Sequence, residues 1–323
     1  MLNSQESRPL PNVSFSHETP TGKPVHQKRN IYELLNTAFP GLIQSVESVI
    51  ENSEFNYSNG TLNESFLWQH TVYVASMAMT ISYAENIDPL IPVVTALFHD
   101  CGKFENGKYH EGEKPEEEIG AEIAVRLLKK AGFPQGDIQT VKDGLLALYN
   151  ENKAENLNTK IVHDADFLIK FGHMGFANFF EKSVLRGMVV RNSILKSMSK
   201  ELTYAASLEE NMFTSWGRKL ARTKSKTTIS LFKNYLQELR DTGIGDYEIR
   251  EMEVNCCKGP NAIIPLLLVI PRFCDTCFQV HTVEFQREKG IKCERLIVKI
   301  QCPGCGEKSS YDFSFCLPEL AGH

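Results

Sequence analysis

A chain of 323 residues is enough for about two domains of ordinary size. Its 42% hydrophobic and 23% charged residues exclude a collagen-like, coiled-coil or wholly disordered chain, and the longest apolar run, Ala262 to Ile270, is far short of a bilayer span. A formal net charge of −5 gives no support to attraction of the whole chain to nucleic acid or membrane. The charge is uneven, with a basic excess from Lys182 to Lys233 and an acidic one from Phe104 to Glu122. The basic stretch fits a phosphate-bearing small substrate or a solvated helix face. The polar N-terminus lacks the apolar core of a secretory signal, so a cytoplasmic location is expected.

Residues 1–30 combine Ser, Pro, Asn and His without apolar periodicity and read as a disordered lead-in. Helical spacing begins at Ile31 and runs to Ile50 with an interruption near Pro40. Further helices are predicted over Phe66–Ala84, Ile91–His99, Glu117–Lys130, Asp137–Tyr149 and Thr159–Phe171. Phe176 to about Leu239 reads as two or three more, with a break around Glu201–Leu208. Beyond Asp241-Thr-Gly-Ile-Gly245, β-branched residues in partial alternation predict strands over Ile263–Ile270, Val280–Phe285, Arg295–Gln301 and Tyr311–Phe315. The expected fold class is mainly α: an all-helical domain over 31–245, followed by a small β domain over 246–323.

Within the helical part, His99-Asp100 ends an apolar run, where two polar side chains are expensive unless something compensates them. A divalent cation would do so, and a mixed set of imidazoles and carboxylates suits Mn, Mg, Fe, Co, Ni or Zn while leaving positions open for water. Three segments appear in order: Leu67-Trp-Gln-His70, then Ala96-Leu-Phe-His99-Asp100-Cys-Gly-Lys103, then Val162-His-Asp164-Ala-Asp166-Phe-Leu. With the downstream Gly217-Arg-Lys-Leu-Ala-Arg222, this series resembles the HD-domain metal-dependent phosphohydrolase superfamily, and within it the small bacterial members that cleave nucleotides.

The resemblance implies an all-helical HD fold with one divalent metal held by His70, His99, Asp100 and Asp166. Asp164 is left as a supporting residue or a cap for exposed helix polar groups. Glu116 stands where dinuclear relatives carry an additional His, and His110 is the only nearby imidazole, so a single ion is favoured. The function implied is cleavage of a phosphate ester or anhydride in a nucleotide or similar small phosphorylated compound. The metal lowers the pKa of water, Asp100 accepts its proton, and Lys103 balances charge on the phosphate. Lys103 is equally readable as a surface residue after a turn. Arg218 and Arg222, four apart on one helix face, are candidate phosphate clamps or exposed charges. Trp68 reads as a core aromatic, with base stacking as the alternative.

Eight of the nine cysteines follow residue 250. Cys274-Asp-Thr-Cys277 and Cys302-Pro-Gly-Cys305, separated by 24 residues, have the spacing of a tetrahedral metal site and resemble a zinc ribbon. Four thiolates close the coordination sphere, so a structural zinc is expected there. Cys256, Cys257, Cys293 and Cys316 have irregular spacing and read as core or incidental residues. Lys/Arg and Asp/Glu balance over 271–323, which disfavours nucleic acid as a partner and leaves a scaffold, dimer-contact or protein-docking role for the ribbon. Two alternatives remain: a regulatory module that senses a nucleotide and docks a partner through the ribbon, and an HD nuclease acting on RNA or single-stranded DNA.

Overall fold

The computed structural model describes residues 30–58, 64–104, 114–148, 156–185, 187–189, 194–255, 263–274, 276–289 and 294–314. The lead-in before Asn30, His110, and Cys256, Cys257, Cys293 and Cys316 lie outside the described residues.

Helices α1 (Ile31–Ala38) and α2 (Leu42–Tyr57) are split at the expected place, beside Pro40. Asn30 starts α1 with a reciprocal cap: its side chain accepts from the Glu33 N–H, and the Glu33 carboxylate accepts from the Asn30 N–H. Helix α3 (Phe66–Ala84) starts at Ser65, whose hydroxyl accepts from the Trp68 N–H. Helix α4 (Leu90–Phe98) is buried from Pro92 to its end and packs against α3. Then follow α5 (Glu116–Lys130), α6 (Gln135–Ala147), α7 (Leu157–Ile169) and α8 (Gly172–Leu185). A π-helical turn, Ile194–Met198, runs into α9 (Ser199–Ala206), and the long α10 (Ser215–Asp241) closes the helical part. Because α4 is apolar on every side, it can be buried only if other helices surround it; α3, α6 and α7 do so.

Strands β1 (Tyr247–Asn255) and β2 (Ile263–Pro271) pair antiparallel, with Tyr247 opposite Pro271. Strands β3 (Thr282–Lys289), β4 (Glu294–Gln301) and β5 (Lys308–Ser314) form a second antiparallel sheet with β4 central. The unbroken apolar run of β2 has a physical cause: both faces are covered. Leu266, Leu268 and Ile270 pack with Leu296, Val298 and Ile300 of β4, while Val269 and the half-buried Leu267 join Phe179, Leu202, Phe232 and Leu236 from α8, α9 and α10. Among the described residues no helix is long and apolar enough to cross a membrane.

Two sequence expectations need correction. The break expected over Glu201–Leu208 is occupied mostly by α9. Ser199 and Thr203 lower intrinsic helix preference, but their hydroxyls accept from the backbone N–H groups of Val269 and Leu267 at 2.8 and 3.0 Å along the outer edge of β2. Tertiary bonding therefore overrides local preference. The sequence reading places no strand at β1, where Tyr247 and Ile249 alternate with charged residues in one phase and Met252 and Val254 in the other, with the slip at Arg250-Glu251.

Candidate functional site

Three helices bring the four expected ligands together. His70 lies in the second turn of α3, His99 and Asp100 follow directly on the end of α4, and Asp166 sits in the last turns of α7. The turn after Asp100 needs Gly102, since a Cβ there would lie 2.2 Å from the Glu116 carbonyl oxygen. That absence lets the start of α5 close over the cluster.

His70, His99, Asp100 and Asp166 are each at most 5% exposed. His70 Nε2 lies 3.2 Å from Asp166 Oδ1 and 3.5 Å from Asp100 Oδ2. His99 Nε2 lies 3.4 Å from Asp100 Oδ2 and 3.9 Å from Asp166 Oδ1. The His99 Nδ1–H donates to the Ala96 carbonyl at 2.7 Å, which turns Nε2 toward the carboxylates. Among the described residues, His99 Nε2 and Asp100 Oδ1 have no hydrogen-bond partner. Lone pairs facing one another in a water-poor setting are costly, and a cation between them removes the cost. The donor set thus fits a divalent ion, and His70, His99 and Asp100 alone already form a cluster that could hold one.

Burial pulls the His70 imidazole down to about 4, against the upward pull of Asp166 and Asp100. Burial by itself would raise the Asp100 carboxyl, but the charges of His99, Lys103 and His70 outweigh it and hold the group well below the usual carboxylate range. Asp166 is held low against burial by Lys170 and His70. At neutral pH the cluster therefore offers a neutral His70 imidazole and ionised carboxylates, the forms that bind metal.

Lys103 Nζ donates to Asp100 Oδ2 at 2.7 Å, which places it at the cluster. Arg218 Nε donates to the Met212 carbonyl at 3.0 Å, and Arg222 pairs with Glu209 at the exposed start of α10. Trp68 is buried in the main core. Asp164 takes the capping role: its carboxylate accepts from the N–H groups of Phe213 and Thr214 and from the Thr214 hydroxyl, at 2.9, 2.8 and 2.7 Å. Two lysines were missed in the sequence. Lys170 donates to Asp166 Oδ2 at 2.7 Å, and its signal was the four-residue spacing from Asp166 on one helix face. Lys182 on α8 opens the basic stretch read in the sequence, but nothing local singles it out within that stretch.

In the β part, the sulfur atoms of Cys274, Cys277, Cys302 and Cys305 all lie within 4.8 Å of one another. The shortest separations, 3.2 Å for Cys277 with Cys302 and 3.5 Å for Cys274 with Cys305, are too long for disulfides. They approach the edges, about 3.8 Å, of a tetrahedron with metal–sulfur bonds of about 2.3 Å. The two turns repeat one another. Phe278 N–H donates to the Cys274 carbonyl at 2.9 Å and Gly306 N–H to the Cys302 carbonyl at 3.1 Å, with φ of 58° and 74° at those two residues. The four thiols could hold a structural metal.

Comparison with known proteins places residues 67–169 in a match to the HD domain family. Among solved structures, a predicted HD superfamily hydrolase from an uncultured Thermotogales bacterium is 21% identical, with 65% of this chain and 99% of that chain covered and a TM-score of 0.46. YpgQ of Bacillus subtilis, solved in complex with ADP, is 19% identical over 62% of this chain and 95% of its own, with a TM-score of 0.46. An HD-superfamily hydrolase of Bacillus thuringiensis is 18% identical over 62% and 98%, with a TM-score of 0.43. No curated protein matches the chain. The matched segment contains His70, His99, Asp100 and Asp166, so all four clustered residues fall within the stretch of this chain that matches the HD domain family.

Proposed function

We propose that the protein is a metal-dependent phosphohydrolase that cleaves a phosphate ester or anhydride of a nucleotide or a similar small phosphorylated compound. The observation that carries this reading is the buried convergence of His70, His99, Asp100 and Asp166, in which His99 Nε2 lies 3.4 Å from Asp100 Oδ2 and neither His99 Nε2 nor Asp100 Oδ1 has a hydrogen-bond partner among the described residues. These four residues hold one divalent ion, drawn from Mn, Mg, Fe, Co, Ni or Zn. That ion supplies Lewis acidity toward a phosphoryl oxygen and makes water a better nucleophile near neutral pH.

The chain's own groups divide the remaining work. Asp100 is kept ionised, and its Oδ1 is the atom that takes a proton as water attacks. Its low proton affinity means that it passes the proton on and does not store it. Lys103, partly buried and bonded to Asp100, holds positive charge where the phosphate is engaged. Burial of the cluster keeps bulk water from weakening these interactions. The four thiols of the cysteine module would hold a structural zinc, closed by its four ligands to the reaction.

The test is a panel of nucleoside mono-, di- and triphosphates and sugar phosphates, each with the six metals in turn. Release of phosphate or pyrophosphate is expected, and Asp166→Ala should lower it by about a hundredfold or more. Binding of a nucleotide without release under every metal would assign the site to sensing and overturn the hydrolase reading.

A further inference from the structure

Three lysines stand around the HD cluster, and they are not equivalent. Lys103 and Lys170 each contact a cluster carboxylate at 2.7 Å. Lys182 forms no ion pair among the described residues. Its Nζ instead lies 5.8 Å from the centre of the Phe66 ring. Phe66 opens α3 exactly one helical turn before His70, so the two side chains share a face of that helix. An ammonium over Phe66 therefore lies beside the cluster, and the charges of Lys170, Lys103 and Asp166 all act on it.

The position is held from behind. Helix α8 begins at Gly172, whose N–H donates to the Thr228 hydroxyl at 2.7 Å, and Lys224 of α10 donates to the Phe171 carbonyl at 2.8 Å. Phe179, one turn before Lys182, packs on Phe232 of the same helix. Burial, followed by the neighbouring lysines, pushes the Lys182 ammonium down to about 8, against Glu201 and Asp166. A half-buried cation with no ion pair among the described residues is left with charge available to an anion from outside. The ring face of Phe66 compensates only part of that charge.

We propose that Lys182 is a substrate-binding residue that engages a phosphate group of the substrate other than the one that reacts. Lys103 and Lys170 are each tied to a cluster carboxylate, and Lys182, which is not, supplies further charge for a second anionic group of the substrate. This rests on the phosphohydrolase reading, because it assigns the substrate's second anionic group to the edge of that same site. Lys182 touches no reacting atom in this scheme; it sets affinity and selects for substrates that carry the further phosphate.

The experiment titrates inorganic pyrophosphate into the full-length protein, with and without manganese, by calorimetry. Lys182→Met and Lys182→Gln are each expected to weaken binding by about tenfold or more, while Lys182→Arg retains most of it. On any substrate found to turn over, Lys182→Met should raise KM with little change in kcat, a split that a merely structural role would not give. Equal pyrophosphate affinity in the wild type, Lys182→Met and Lys182→Gln overturns the assignment, as does a wild type that binds no pyrophosphate. If the wild type binds pyrophosphate through Lys182 but hydrolyses nothing with any metal, the assignment stands as an anion site and only the phosphohydrolase reading falls. Turnover with unchanged binding in both variants gives the reverse.

Discussion

Burial pulls the His70 imidazole down to about 4, although the carboxylates of Asp166 and Asp100 lie 3.2 and 3.5 Å away. Unfolding returns the group to its ordinary value near 6.5. Between those values the unfolded chain binds a proton that the metal-free folded chain refuses. The stabilisation from keeping His70 neutral is complete above pH 6.5 and is lost as pH falls through about 4. Its size is about 3 kcal/mol at most, from the separation of the two values. Urea unfolding of metal-stripped protein should show this slope between pH 6.5 and 4, and His70→Gln should flatten it. A wild-type curve level across that window would contradict the assigned burial. The motif residues were legible because chemistry spaces them recognisably along the chain. Lys182 was not, because its meaning depends on Phe66, more than a hundred residues earlier.

Helix α7 does two jobs with residues two apart. Asp166 faces the cluster, while Asp164 turns to the start of α10 and receives three hydrogen bonds there. The approach is tight enough that a Cβ on Gly217 would come within 2.4 Å of Asp164 Oδ2. Removing the Asp164 carboxylate strands the N–H groups of Phe213 and Thr214, at a cost of about 3 kcal/mol. Removing Asp166 gives up its contacts with Lys170 and His70, but it also relieves repulsion with Asp100, and the partly exposed Lys170 can turn to water, so the fold survives. Asp164→Ala is therefore expected to lower the unfolding midpoint while keeping divalent metal, and Asp166→Ala to lose the metal while staying folded. Paired thermal melts and elemental analysis would check this, and interchange of the two phenotypes would sink it. At this scale the sequence was readable where periodicity was strong. The long helices and β3, β4 and β5 were visible for that reason, and β2 through its unbroken apolar run. Helix α9 was hidden because it is held by β2, more than sixty residues further along the chain, and β1, which pairs with the strand that follows it, because its alternation changes phase at Arg250-Glu251.

Helix gives way to strand between Asp241 and Tyr247, near the place where composition changes, yet apolar packing runs across that junction. Phe179, Met198, Leu202, Phe232 and Leu236 of the helical part enclose Tyr247 of β1 and Val269 of β2. Strands β1 and β2 therefore draw their stability from the helices. The two cysteine turns, by contrast, flank β3 and β4, and the apolar support of that sheet comes from Val254, Leu266, Leu268 and Ile270 on the β1–β2 pair. Loss of the structural ion should accordingly loosen β3, β4 and β5 far more than β1 and β2. Cys302→Ser is expected to lose one zinc per chain and retain the divalent metal of the HD site. Amide hydrogen exchange should speed up across 282–314 and stay slow across 247–255 and 263–271. Loss of both metals together, or collapse of protection in β1 and β2, would show that the thiolate site supports the whole chain instead of its outermost sheet.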